Sequence, residues 1–85
     1  MQNIPKLIDV KTQPDYYLIL IFNNGEQRLY DFKPNLTHPY YKPLASYSLF
    51  QQVTVTAGEI EWSSGQDFCP HTLYENSLPY TEKAV

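Results

Sequence analysis

The chain reads as a small α+β domain. An antiparallel sheet is built from two hairpins plus an N-terminal strand, with short helices after the crossover and at the C-terminus. Three observations carry that expectation. Two strand-length apolar stretches are each broken by residues that accept a positive φ, at Asn23-Asn24-Gly25 and at Gly58. The segment between them contains Pro34, Pro39 and Pro43, which forbid a long helix. Near the end, Pro70 follows a Gly65 turn and suits the first position of a helix.

Taken in order, Leu7 to Lys11 reads as a short strand, and Gln13-Pro14-Asp15 supplies turn chemistry. Tyr16 to Phe22 is apolar on both faces, the pattern of a central strand with packing on each side. Glu26 to Phe32 returns as its partner. A two-residue Asn24-Gly25 turn would set Leu20 opposite Leu29, whereas a three-residue loop would set Ile19 opposite Leu29, and both registers fit the pattern. Lys33 to Gln51 allows only single helical turns, one of them capped by Ser46 and running through Leu49 and Phe50. Its apolar members Leu36, Tyr40, Leu44, Leu49 and Phe50 suggest a crossover packed on one face of the sheet. Val53 to Trp62 is the second hairpin. A Gly58-Glu59 turn would pair Ala57 with Ile60 and Val55 with Trp62, leaving Thr54, Thr56 and Glu61 on the wet face. Ser63 to Gly65 turns the chain, and a last helix runs from Pro70 to Asn76 with Leu73 inward and Tyr74 on its flank. Residues 1–76 then form one domain, and 77–85 a frayed tail.

Eighty-five residues hold one core. A chain of this size buries about 60–65% of the surface its unfolded form exposes, so each large apolar side chain counts. Eight Tyr, four Phe and one Trp supply much of that core, and so many Tyr in a small domain leave some at its rim. The net charge of −3 and six scattered Lys and Arg lack the convergent basic footprint of a nucleic-acid binder. A single cysteine, Cys69, excludes an intrachain disulfide. The N-terminus lacks a signal-peptide layout, and no apolar run approaches the ~20 residues that span a bilayer. The expected location is the cytoplasm, with no membrane association.

The order of these pieces resembles the bacterial family called domain of unknown function 2442. The shared features are Phe22-Asn23-Asn24-Gly25-Glu26, Tyr30-Asp31-Phe32, a crossover with Leu44 and Phe50, Trp62, Gly65-Gln66-Asp67 and Pro70-His71-Thr72-Leu73-Tyr74. They span about Leu7 to Tyr74. The resemblance implies an α+β fold in bacterial or phage proteins without an accepted activity. It also implies that some members are encoded beside another small domain, in pairs that look like toxin–antitoxin or regulatory modules. Others carry a helix-turn-helix, a pattern missing from these residues. The family supplies no catalytic residues to carry over.

Candidate sites are few. Asp67, Cys69 and His71 are spaced two apart, so a strand would point all three to one side for a metal or a Cys-His pair. Pro70 breaks that alternation. It favours Cys69 as a helix N-cap with a buried, inert thiol, Asp67 bonded to turn amides, and His71 on an exposed first turn. Asp31 at a strand end suits a bond to a loop amide. Glu59 and Glu61 suit solvated positions, and Trp62 the core. Tyr40, Tyr41 and Tyr74, with Thr54 and Thr56 on the open hairpin face, are the interaction candidates.

Together these features favour a non-catalytic protein-interaction or regulatory module, in the manner of one half of a toxin–antitoxin-like pair. Its partner is another small protein or itself, and no cofactor or metal is called for. The rivals are a small enzyme using Asp31, Asp67, Cys69 or His71, and a nucleic-acid binder.

Overall fold

Three tight turns and one proline-broken crossover fix where each element begins. The computed structural model describes residues 4–80. Its strands are β1 (Leu7–Gln13), β2 (Tyr17–Phe22), β3 (Gln27–Asp31), β4 (Val53–Thr56), β5 (Glu59–Trp62), β6 (Asp67–Phe68) and β7 (Leu78–Pro79). Helix α1 is the single turn Tyr47–Phe50, and α2 spans Pro70–Asn76. The strands divide into an antiparallel four-stranded sheet, β1-β2-β3-β7, and a three-stranded one, β4-β5-β6. The class is α+β, as the sequence predicts.

Strand β2 is central in its sheet. Leu18, Leu20 and Phe22 point into the core, while Ile19 lies on the opposite face between its cross-strand neighbours Lys11 and Leu29. The β2–β3 hairpin adopts the three-residue loop, with Ile19 opposite Leu29. Gly25 takes a φ of +92°, its N–H donates to the Phe22 carbonyl at 3.0 Å, and the Phe22 N–H donates to the Glu26 carbonyl at 2.9 Å. The Asn24 side chain accepts from the Glu26 amide at 3.0 Å, which closes the loop.

The second hairpin corrects its expected register. Val55 pairs with Ile60, and Val53, not Val55, pairs with Trp62. The turn residues are Ala57 and Gly58, with φ of 54° and 83°. Two successive left-handed residues match the twist of the flanking strands, which outweighs the cost of placing Ala there. The change of register preserves every side chain's face, because a two-residue slip leaves alternation unchanged. Ile60 and Trp62 are buried, and Thr54, Thr56, Glu59 and Glu61 are exposed.

The core gathers Leu7, Leu18, Leu20, Phe22, Tyr30, Phe32, Leu44, Phe50, Ile60, Trp62 and Leu73. Phe32 is its hub, fully buried, with ring centroids 5.2 Å from Trp62, 5.3 Å from Tyr41 and 5.6 Å from Phe50. Burying an indole requires a partner for its N–H, and Trp62 Nε1 donates to the Phe50 carbonyl at 2.8 Å.

The crossover is packed, as expected. It forms two 3-10 segments, Lys33–Thr37 and Pro39–Ala45, and seats Leu44 in the core. His38 caps the second segment through Nδ1, which accepts from the Tyr40 N–H at 3.2 Å. Ser46 precedes α1 but forms no side-chain cap bond. The Tyr16 hydroxyl donates to the Ala45 carbonyl and ties the crossover to the start of β2.

Residues 77–79, expected to fray, are anchored. Arg28 Nε donates to Ser77 Oγ at 2.7 Å and Nη2 to the Ser77 carbonyl at 2.8 Å. Leu78 then pairs with Leu29, and Pro79 with Arg28. The expected tail beyond Tyr80 lies outside the described residues. Among the described residues no helix is long and apolar enough to cross a membrane.

Candidate functional site

The second half of the chain repeats the first loop's device. Ser63-Ser64-Gly65 closes a three-residue turn in which Gly65 has φ +105°, its N–H donates to the Trp62 carbonyl at 2.9 Å, and the Trp62 N–H donates to the Gln66 carbonyl at 2.8 Å. That turn sends the chain back as β6, which sets Asp67 opposite Glu61 and Phe68 opposite Ile60. Strand β6 ends after two residues because Pro70 cannot donate to a ladder and its ring favours the start of α2.

The short strand brings together residues that lie far apart in the sequence. An open cleft of about 350 Å³ is lined by Tyr41, Glu59, Asp67, Phe68, Cys69 and Pro70. The crossover delivers Tyr40 and Tyr41 to its rim. Tyr41 donates its hydroxyl to the Asp67 carbonyl at 2.8 Å, and Tyr40 donates to Asp67 Oδ1 at 3.2 Å. Tyr41 stacks on Phe68 with centroids 5.5 Å apart and 28° between the planes. Tyr40 meets Tyr41 edge-on at 4.8 Å and remains 47% exposed. Burial, reinforced by Tyr40 and Asp67, raises the Tyr41 pKa, so its hydroxyl stays a donor.

Cys69 occupies the N-cap position of α2, as expected, but its thiol is exposed, where the sequence favoured a buried one. It makes no formal cap hydrogen bond. The backbone N–H groups of Thr72 and, secondarily, His71 still lower its pKa by favouring the thiolate. Asp67 does not bond turn amides; its carboxylate accepts from Tyr40 instead.

The other candidates lie elsewhere. His71 sits on the first turn of α2 and pairs through Nε2 with Glu75 at 3.2 Å, four residues on. Asp31 accepts from the Lys33 amide at 3.0 Å, the loop bond expected for it, and also pairs with Lys33 Nζ at 3.1 Å. Tyr74 packs on Phe22 at 5.1 Å under the Arg28 guanidinium, and donates to Glu26 Oε2 at 3.2 Å. Thr54 and Thr56 pair with Glu61 and Glu59 on the outer face of the three-stranded sheet. Among the described residues no three His, Cys, Asp or Glu side chains are grouped to hold a metal ion.

Sequence patterning does not mark Glu59 and Phe68 as site residues. The signal that exposes them is local: Phe22-Asn23-Asn24-Gly25-Glu26 and Trp62-Ser63-Ser64-Gly65-Gln66 share one pattern of aromatic, two polar residues, Gly and an acidic or amide residue. Reading the second like the first predicts β6 and its pairing with β5.

A family model described as protein of unknown function (DUF2442) matches residues 7–79. No curated protein and no solved structure matches the chain.

Proposed function

This chain belongs to the DUF2442 family, whose description carries no activity, and from that premise we propose a non-catalytic interaction module whose contact surface is the Tyr40–Tyr41–Asp67–Cys69 cleft. One observation carries the proposal: two tyrosines from the crossover are held against edge strand β6 by hydroxyl bonds to Asp67. Rigid, half-exposed aromatics lose little entropy on contact and dominate the binding energy of many interfaces. The partner is a protein, either a small one in a toxin–antitoxin-like or regulatory pair or a second copy of this chain.

The enzyme reading finds less support. A cysteine nucleophile needs a base within hydrogen-bond reach, and His71 is paired with Glu75 and does not line the cleft. The β4 edge is a less favoured docking site than the cleft, since β4 lies close against β1.

Affinity capture from the source cells, with wild type and two variants, tests the proposal. Tyr40→Ala should lose the partner, while Thr54→Lys/Thr56→Lys should retain it, with folding checked by circular dichroism. Capture that is insensitive to Tyr40→Ala, or a wild type that captures nothing in stoichiometric amount, overturns it.

A further inference from the structure

Among the described residues, the face that adjoins the cleft carries carboxylates with no ion-pair partner. Glu59, Glu61 and Asp67 all belong to the three-stranded sheet, with Glu61 directly opposite Asp67 and Glu59 two residues from Glu61 on the same strand. Among the described residues none of the three forms an ion pair. Like charges directly opposite each other in a sheet are destabilising, so this pairing costs the free protein stability. Among the described residues no basic side chain lines the cleft to offset it.

Beside the carboxylates stand the planar rings of Tyr41 and Phe68, with Tyr40 at the rim. A ligand complementary to both features is cationic and flat. An arginine side chain meets that description: its guanidinium pairs with carboxylates in a planar fork and stacks on aromatic rings, whereas an ammonium is compact and more strongly hydrated. The cleft, at about 350 Å³, lies at the small end of the roughly 300–1,000 Å³ typical of ligand sites, a size suited to a side chain.

We propose that this face docks an arginine-bearing segment of a partner protein, the guanidinium seated between the Tyr41–Phe68 wall and the carboxylates of Glu59 and Asp67, which line the cleft, with Glu61 adding negative charge from its place opposite Asp67. The proposal rests on the interaction-module reading and adds the chemistry of the partner.

The test uses the whole chain, titrated with the peptide acetyl-Gly-Arg-Gly-Arg-Gly-amide and followed by amide chemical shifts. The same peptide with citrulline or lysine in place of arginine serves as control. Shifts should concentrate at Tyr41, Glu59, Glu61 and 67–69, weaken with added salt, fall off with lysine and vanish with citrulline. The double variant Glu61→Gln/Asp67→Asn gives a readout of opposite signs. Removing the cross-strand repulsion should raise the melting temperature of the free protein while weakening arginine-peptide binding roughly fivefold or more. Equal binding by the lysine or citrulline peptide, shifts centred elsewhere, or unchanged affinity in the double variant would overturn the proposal. A natural partner still lost in Tyr40→Ala while the arginine peptide fails to bind would leave the interaction module standing and remove only its cationic partner.

Discussion

The loop after Phe22 and the loop after Trp62 are the same device in two settings. Each comes after a nearly fully buried aromatic residue, spans two polar residues and a left-handed Gly, and closes with the same two backbone hydrogen bonds. The first feeds a five-residue strand, β3, that is flanked on both edges and delivers Tyr30 to the core. The second feeds a two-residue strand, β6, that lies at a sheet edge and delivers Asp67 and Phe68 to an open cleft. The loop therefore does not choose between scaffold and site. The residues beyond it choose: Leu29 and Tyr30 continue one strand, whereas Pro70 stops the other.

The largest effect should be shared by both settings. Phe22→Ala and Trp62→Ala each remove a buried aromatic ring and should destabilise by about 3–5 kcal/mol in chemical denaturation. That is a large fraction of the stability of a typical small domain, about 5–15 kcal/mol. Native tryptophan emission should be blue-shifted and move to the red on unfolding. A loss under about 1 kcal/mol at either position would break the equivalence.

The glycines should separate the two settings. Gly25→Ala and Gly65→Ala each force a Cβ into left-handed backbone and should cost about 1–2 kcal/mol. No atom crowds either site, so the penalty is conformational in both. Only Gly65→Ala should disturb the amide shifts of 67–69 and the capture of a partner. Equal disturbance from Gly25→Ala would show that the cleft depends on the whole fold and not on the second loop.

Tyr41→Phe removes the hydroxyl bond to the Asp67 carbonyl and should cost about 0.5–1.5 kcal/mol. Partner affinity should fall by more than that loss of stability explains, because the ring is no longer held against β6.

The smallest effect on stability concerns Cys69. Cys69→Ser should fold at least as well as wild type, since Ser is a good N-cap residue. The pH profile of Cys69 alkylation should have its midpoint below that of an ordinary thiol, because the Thr72 and His71 amides favour the thiolate. The reaction should be fast just above that lowered midpoint and slow as the pH falls below it. A midpoint at or above the ordinary value would show that the helix amides do not reach the sulfur.

Much of this molecule is legible from local rules. Alternation and turn residues locate the hairpins, proline placement rules out a long middle helix, and Pro70 marks the start of α2. Trp62 and Leu73 read as inward and are buried, because period-two and helical periodicity report a face directly. Register is less accessible. At Val53 to Trp62 a two-residue slip keeps every face, so alternation cannot choose between turns, and the positive φ of Ala57 is not what its residue type suggests. Part of the site is hidden for the same reason that β6 is: two residues are too short for a period.

The sequence by itself determined the α+β class, the inward face of the second hairpin, the packed crossover and the breaks of the short helices, since all of these arise from chemistry within a few residues. Only the tertiary structure decided that the strands split into two sheets, that Arg28 anchors Ser77, and that Tyr40 and Tyr41 close on Asp67 from 27 and 26 residues away. Those contacts join segments whose separation leaves no local pattern. Their partners are chosen when the core around Phe32 closes and fixes which elements lie side by side.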